Sequence, residues 1–178
     1  MTVRMLHLLG SPVLRQRAAR VVQVDDAVRA LVDDLFETMR AARGVGLAAN
    51  QIGLARRVAV VDVGEDDPPP LVLINPLIVE RGDELETAEE GCLSIPEIFG
   101  DVERPAHIVV EALDRDGRSY RAAATGYKAR AIQHEIDHLD GILAVDRASG
   151  LDPFAFRSEW EKLHDPSERY GPPLPREV

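Results

Sequence analysis

The sequence predicts an α+β domain with an antiparallel sheet. Three observations lead there. The elements read in the order helix, strands, helix, helix. Two apolar stretches flank Asp114-Arg115-Asp116-Gly117, a hairpin signal. And 178 residues, 45% hydrophobic and 29% charged, suit a single ordinary core.

Near the start, Ser11-Pro12 supplies turn chemistry within a stretch that holds Arg4, Arg15, Arg17 and Arg20. A helix follows. Asp25 or Asp26 can cap it, and Val28, Leu31, Val32, Leu35 and Met39 recur at the spacing of one apolar face. It should stop near Arg43-Gly44, with the glycine in a left-handed C-terminal position. The small residues Gly44 to Gln51 read neither as strand nor as polar loop. Residues 57–63 and 71–79, rich in valine, isoleucine and leucine, read as strands joined by an acidic, proline-rich connection. After the acidic stretch 83–90 comes Gly91-Cys92-Leu93-Ser94-Ile95-Pro96, where the proline marks a further turn. His107–Leu113 and 118–124 form the hairpin. A second helix covers about 127–139, with Ile132, Ile136 and Leu139 on one face and Gly141 at its end. A weaker third helix is expected over about 153–163, packed through Phe154, Phe156, Trp160 and Leu163, before an extended tail from Asp165.

The charge balance narrows the function. Thirty-one acidic residues against 21 basic ones give a net charge of -10, which repels a phosphate backbone, so no broad nucleic-acid groove is expected. The apolar runs are too short to span a bilayer, so no membrane partner is expected. The opening residues lack an export signal, and the single cysteine rules out an internal disulfide framework; a cytoplasmic location is the expectation.

The sharpest motif is His134-Glu135-Ile136-Asp137-His138. Residues four apart on a helix share a face, so both imidazoles can bind one metal, with Glu135 on the adjacent edge. Chance would produce the pattern roughly 0.01 times in such a chain. A catalytic metal usually takes a third protein ligand and keeps one position open. The protease pattern with a histidine six residues further on fails, because Ala144 stands there. Glu159 would serve a zinc peptidase, Cys92 would serve a different hydrolase, and a closed structural metal site is the non-enzymatic alternative.

Three blocks together resemble the peptide deformylases: Gly44-Val45-Gly46-Leu47-Ala48-Ala49-Asn50-Gln51, then Glu90-Gly91-Cys92-Leu93-Ser94, then Gln133-His134-Glu135-Ile136-Asp137-His138. Leu14-Arg15 and Ala112-Leu113-Asp114 extend the similarity over about residues 5–148, and the leucine after the cysteine resembles the bacterial form also found in organelles. The resemblance implies one catalytic domain, 1–178, of antiparallel sheets packed around a central metal-binding helix, with an N-terminal and a C-terminal helix; residues 149–178 form the C-terminal helix and tail. It implies metal-dependent removal of the formyl group from formylmethionine on nascent chains, with release of formate.

It also implies the site. Cys92, His134 and His138 would hold one divalent ion, Fe2+ ahead of Zn2+ or Ni2+. Glu135 would be the general base and then the proton donor. Gln51 and the backbone N–H of Leu93 would face the formyl oxygen. Gly46 would let the substrate peptide lie against the loop, with Gly44 and Glu90 on the same side and Glu90 orienting the cysteine loop through backbone contacts. Asp137 has two open readings, a partner such as Arg104 or plain solvent.

Two departures stand out. Phe99 occupies a position where many relatives carry a basic residue, so a polar contact to the substrate is expected to be lacking. Some relatives dock to the ribosome through a basic C-terminal helix. Here residues 152–178 carry four basic side chains (Arg157, Lys162, Arg169, Arg176) and six acidic ones (Asp152, Glu159, Glu161, Asp165, Glu168, Glu177), net -2, which argues against that contact.

Overall fold

The computed structural model describes residues 2–64, 69–148 and 154–159. Helix α1 (Asp26–Ala41) is capped by Asp25, whose carboxylate accepts from the Val28 N–H at 2.9 Å. Its end corrects the sequence reading. Arg43, not Gly44, takes the left-handed conformation (φ 56°), and the Gly44 N–H closes the last turn on the Met39 carbonyl. Gly44 also gives room to another residue, since a Cβ there would lie 2.7 Å from Cδ1 of Leu93 and oblige that side chain to shift.

The small-residue stretch resolves into strand β1 (Gly46–Ala48) and a 3₁₀ turn, Ala49–Ile52. Strands β2 (Val58–Val61) and β3 (Leu71–Arg81) follow, then β4 (Leu85–Cys92), β5 (Ile95–Pro105), β6 (His107–Leu113) and β7 (Ser119–Thr125). Helix α2 (Gly126–Leu139) comes next, and β8 (Phe154–Phe156) is the last strand among the described residues.

One antiparallel sheet has the order β1-β2-β3-β6-β7, and a smaller one β4-β5-β8. The acidic stretch is thus a strand, and β5 was not foreseen. The turn between them falls at Leu93-Ser94, while Pro96 lies on β5. The segment expected to be a third helix begins as β8; residues 157–159 are helical, and Trp160 and Leu163 lie outside the described residues.

The core explains why β2 is buried on both faces. Along β2, Val58 and Val60 face α1, against Leu31, Leu35 and Met39. Ala59 and Val61 face α2, against Ile132, Ile136 and Leu139. Period-two alternation therefore feeds two cores from one strand, and all four residues are buried. The helix α2 lies across this sheet, and its other side meets the smaller sheet. No described helix is long and apolar enough to cross a membrane.

Candidate metal centre

Helix α2 carries His134 and His138 one turn apart, with ring centroids 4.9 Å from each other. Strand β4 ends at Cys92, brought to the same point by the β4–β5 hairpin. Cys92 Sγ is 3.2 Å from Nε2 of His138. One ligand atom from each of Cys92, His134 and His138 lies within 4.8 Å of the others. A thiol and two imidazoles suit a borderline or soft divalent metal far better than magnesium or calcium. This donor set fits a divalent metal ion of that class. Burial, followed by the neighbouring His134, holds His138 well below the ordinary imidazole value.

Glu135 completes the group. Its Oε2 is buried and has no hydrogen-bond partner among the described residues. Burial pushes this carboxyl up to about 7. The other oxygen lies where a side chain at residue 46 would be, so a Cβ on Gly46 would overlap the carboxylate. Gly46 was expected to make room for substrate; in the structure its bareness makes room for Glu135.

Gln51 is locked by its own loop. Its Oε1 accepts from the Ala48 N–H at 2.8 Å, which leaves Nε2 directed at Ser94 Oγ (3.3 Å) and Cys92 Sγ (3.9 Å). The amide thus spends its oxygen on a local backbone bond and turns its nitrogen toward Cys92 and Ser94. Asn50, beside it, donates to the His138 carbonyl and ties the loop to α2. Leu93 sits in the hairpin turn, its side chain against Gly44.

Glu90 requires a correction. Instead of backbone contacts or a substrate-facing role, its carboxylate accepts from His134 Nδ1 (2.9 Å), Arg104 Nη2 (2.9 Å) and Arg130 Nη1 (2.9 Å). Burial tends to raise its pKa, but the Arg104 and His134 hydrogen bonds outweigh it and hold the carboxyl down at about 2. The bond to His134 sets the ring's orientation and directs its other nitrogen at the cluster. Asp137 also has partners, Arg104 at 2.8 Å and Arg147, rather than water alone.

Sequence reasoning missed Arg130, which also donates to the carbonyls of Val102 (2.6 Å) and Glu86 (2.7 Å). Its signal was present: Arg130 precedes His134 by one helical turn, a long charged side chain on a buried face.

The centre opens into a cleft of about 720 Å3 lined by Gln51, Cys92, His134 and Glu135, with Phe99, Tyr127 and Arg157 among the residues at its walls. Glu159, the alternative ligand, is exposed and is not one of the three clustered residues. Where a basic residue was expected to be lacking, at Phe99, the structure lays the Arg157 guanidinium 4.2 Å from the ring centroid.

A family model described as "Polypeptide deformylase" matches residues 3–154. The chain is 51% identical over 153 residues to the peptide deformylase of Cellvibrio japonicus, covering 86% of this chain and 90% of that one. The crystal structure of a peptide deformylase from Synechococcus elongatus, in complex with actinonin, superposes with a TM-score of 0.79 at 47% identity, over 82% of this chain and 80% of that one. The Thermotoga maritima peptide deformylase gives a TM-score of 0.80 at 43% identity, over 84% and 99%.

Proposed function

This chain belongs to the polypeptide deformylase family and hydrolyses the N-formyl group from the N-terminal formylmethionine of new polypeptides, and we propose that it does so in the cleft around Cys92, His134 and His138. The observation that carries the assignment to this cleft is the meeting of those three ligand atoms beside a buried carboxylate oxygen that has no partner among the described residues.

In this reading Cys92, His134 and His138 hold one divalent ion, ferrous iron in the cell, with zinc or nickel as substitutes. When bound, such an ion supplies Lewis-acid activation of water and of the formyl oxygen. Glu135 takes the proton from the attacking water and delivers it to the leaving amine, a double use that its position on the wall of the cleft supports. Gln51 Nε2 and the Leu93 N–H donate to the formyl oxygen as negative charge gathers on it. One donor of this kind is worth about 10²–10³ in rate. Glu90 acts at one remove, holding His134. The products are formate and a peptide with a free N-terminal methionine.

We read the chain as one catalytic domain working in the cytoplasm on nascent chains. Residues 152–178, net -2, do not supply a basic ribosome anchor. The test is formate release from formyl-Met-Ala by ferrous protein prepared without oxygen, paired with metal analysis. Release with one metal per chain supports the assignment, and an intact peptide after metal loading overturns it.

A further inference from the structure

We infer that Arg157 is a substrate-positioning residue, whose guanidinium donates to a main-chain carbonyl of the formylated peptide two or three residues beyond the methionine. The inference rests on the cleft being the site proposed above. It concerns a residue beyond position 154, where the family match ends.

Three packing relationships build the position. Strand β8 pairs antiparallel with β5, setting Ala155 opposite Phe99 and Phe154 opposite Gly100. Gly100 has no side chain, and a Cβ there would overlap the Phe154 ring, so the strand can seat closely only at a glycine. The Phe99 ring in turn lies over Gly91, where a Cβ would again collide. The next residue on β8's path, Arg157, is laid over the half-buried ring of Phe99, with its Nε 4.0 Å from Glu97 Oε2. A flexible surface arginine is thereby held at a wall of the cleft by a stacked ring and a carboxylate, and both Phe99 and Arg157 line that cleft together with Cys92 and Glu135.

The reach follows from strand geometry. Gly91, the neighbour of Cys92, pairs with Phe99 across one strand spacing of about 4.8 Å, and the guanidinium lies 4.2 Å from the ring centroid. An extended peptide advances about 3.3 Å per residue, so two or three residues cover the distance. The five N–H donors of a guanidinium radiate in its plane, while stacking uses its face. Glu97 offsets part of the positive charge, which weakens selection for an acidic side chain relative to a neutral carbonyl. An enzyme that must accept many sequences needs that kind of contact.

The test compares two C-terminally amidated peptides, formyl-Met-Ala and formyl-Met-Ala-Ser-Ala, and reads the ratio of their kcat/KM values in each protein. Amidation removes the terminal carboxylate as a competing ligand. The wild-type enzyme should favour the longer peptide by roughly five- to tenfold, a margin that one exposed hydrogen bond from a cationic donor can supply. In Arg157→Ala the ratio should fall to near one, through KM rather than kcat. Phe99→Leu, which removes the ring under the arginine, should give an intermediate ratio, and Arg157→Lys should retain part of the gain. Metal content and circular dichroism confirm that each variant is folded. A longer-peptide advantage that survives in Arg157→Ala overturns the inference. So does a preference that appears only when an aspartate replaces the serine, because the contact is then to a side chain. Failure of the wild type to cleave either peptide overturns the proposed function instead.

Discussion

Nδ1 of His134 and Oε2 of Glu90 are 2.9 Å apart, 44 residues distant in sequence, in a buried site where Arg104 and Arg130 also donate to the same carboxylate. One metal-site imidazole is thus oriented by a carboxylate that is itself clamped by two guanidinium groups.

Glu90→Gln should keep the shape of this arrangement but weaken the His134 contact and lower metal affinity about 10–100-fold, the usual effect of losing such an outer partner. Metal loss against a graded chelator measures it. Glu90→Ala should also unfold more easily, by about 3–5 kcal/mol, since two buried guanidinium groups lose a partner. Unchanged chelator resistance in the glutamine variant would show that His134 is oriented by packing alone.

Cys92→Ala and Glu135→Gln should separate metal binding from chemistry. The first removes a ligand, so bound metal should collapse on purification. The second should retain the metal and lose about 10²–10⁴ in kcat, the contribution of a positioned acid–base group. Metal analysis and formate release on the same samples decide it, and a metal-replete Cys92→Ala protein would count against the cluster.

Gly46→Ala should be far more damaging than a surface alanine substitution. The added methyl overlaps the Glu135 carboxylate, and displacing that group by about 1 Å costs on the order of 10² in rate. Thermal unfolding should change much less than activity. A variant with near-normal kcat would mean that Glu135 can work from a different rotamer.

Tyr120 offers a pH test away from the centre. Its hydroxyl donates to the Val72 carbonyl at 2.8 Å, and burial, helped by Asp114, raises its pKa to about 12 from an ordinary 10. Below pH 10 the phenol is protonated in both folded and unfolded chains, and the advantage of the folded state is complete. Between pH 10 and 12 the unfolded chain ionises first, so stability falls as pH rises. For a half-buried ring the loss is about 1–2 kcal/mol after allowance for solvent screening. Tyr120→Phe should lack this component when urea midpoints at pH 9 and pH 11 are compared. Parallel losses in the two proteins would assign the alkaline sensitivity elsewhere.

The parts of the molecule legible in sequence are those encoded at short range. Helix periodicity placed His134, Glu135 and His138 together, and Asp25 and the Asp114 turn announced themselves by local hydrogen bonding, with Asp114 accepting from the N–H groups of Asp116 and Arg118. Strand β5 stayed hidden. It contains Pro96, Gly100 and Pro105 and four charged residues, and it is a strand because β4 and β8 pair with it on both sides. The charged network was equally out of reach. Glu90 meets Arg104 and Arg130 across 14 and 40 residues, and no local spacing encodes that meeting. The end of α1 misled for a related reason: Gly44 looked like a helix stop, whereas its lack of a side chain serves a contact with Leu93, 49 positions away.

Strand β2 divides the interior between two tenants, with even-numbered side chains serving α1 and odd-numbered ones serving α2. An engineer seeking a hardier enzyme therefore has an address. Enlarging or trimming residues 58 and 60 disturbs a helix that carries none of the three clustered ligands, whereas the same change at 59 or 61 pushes directly on the platform that holds both histidines.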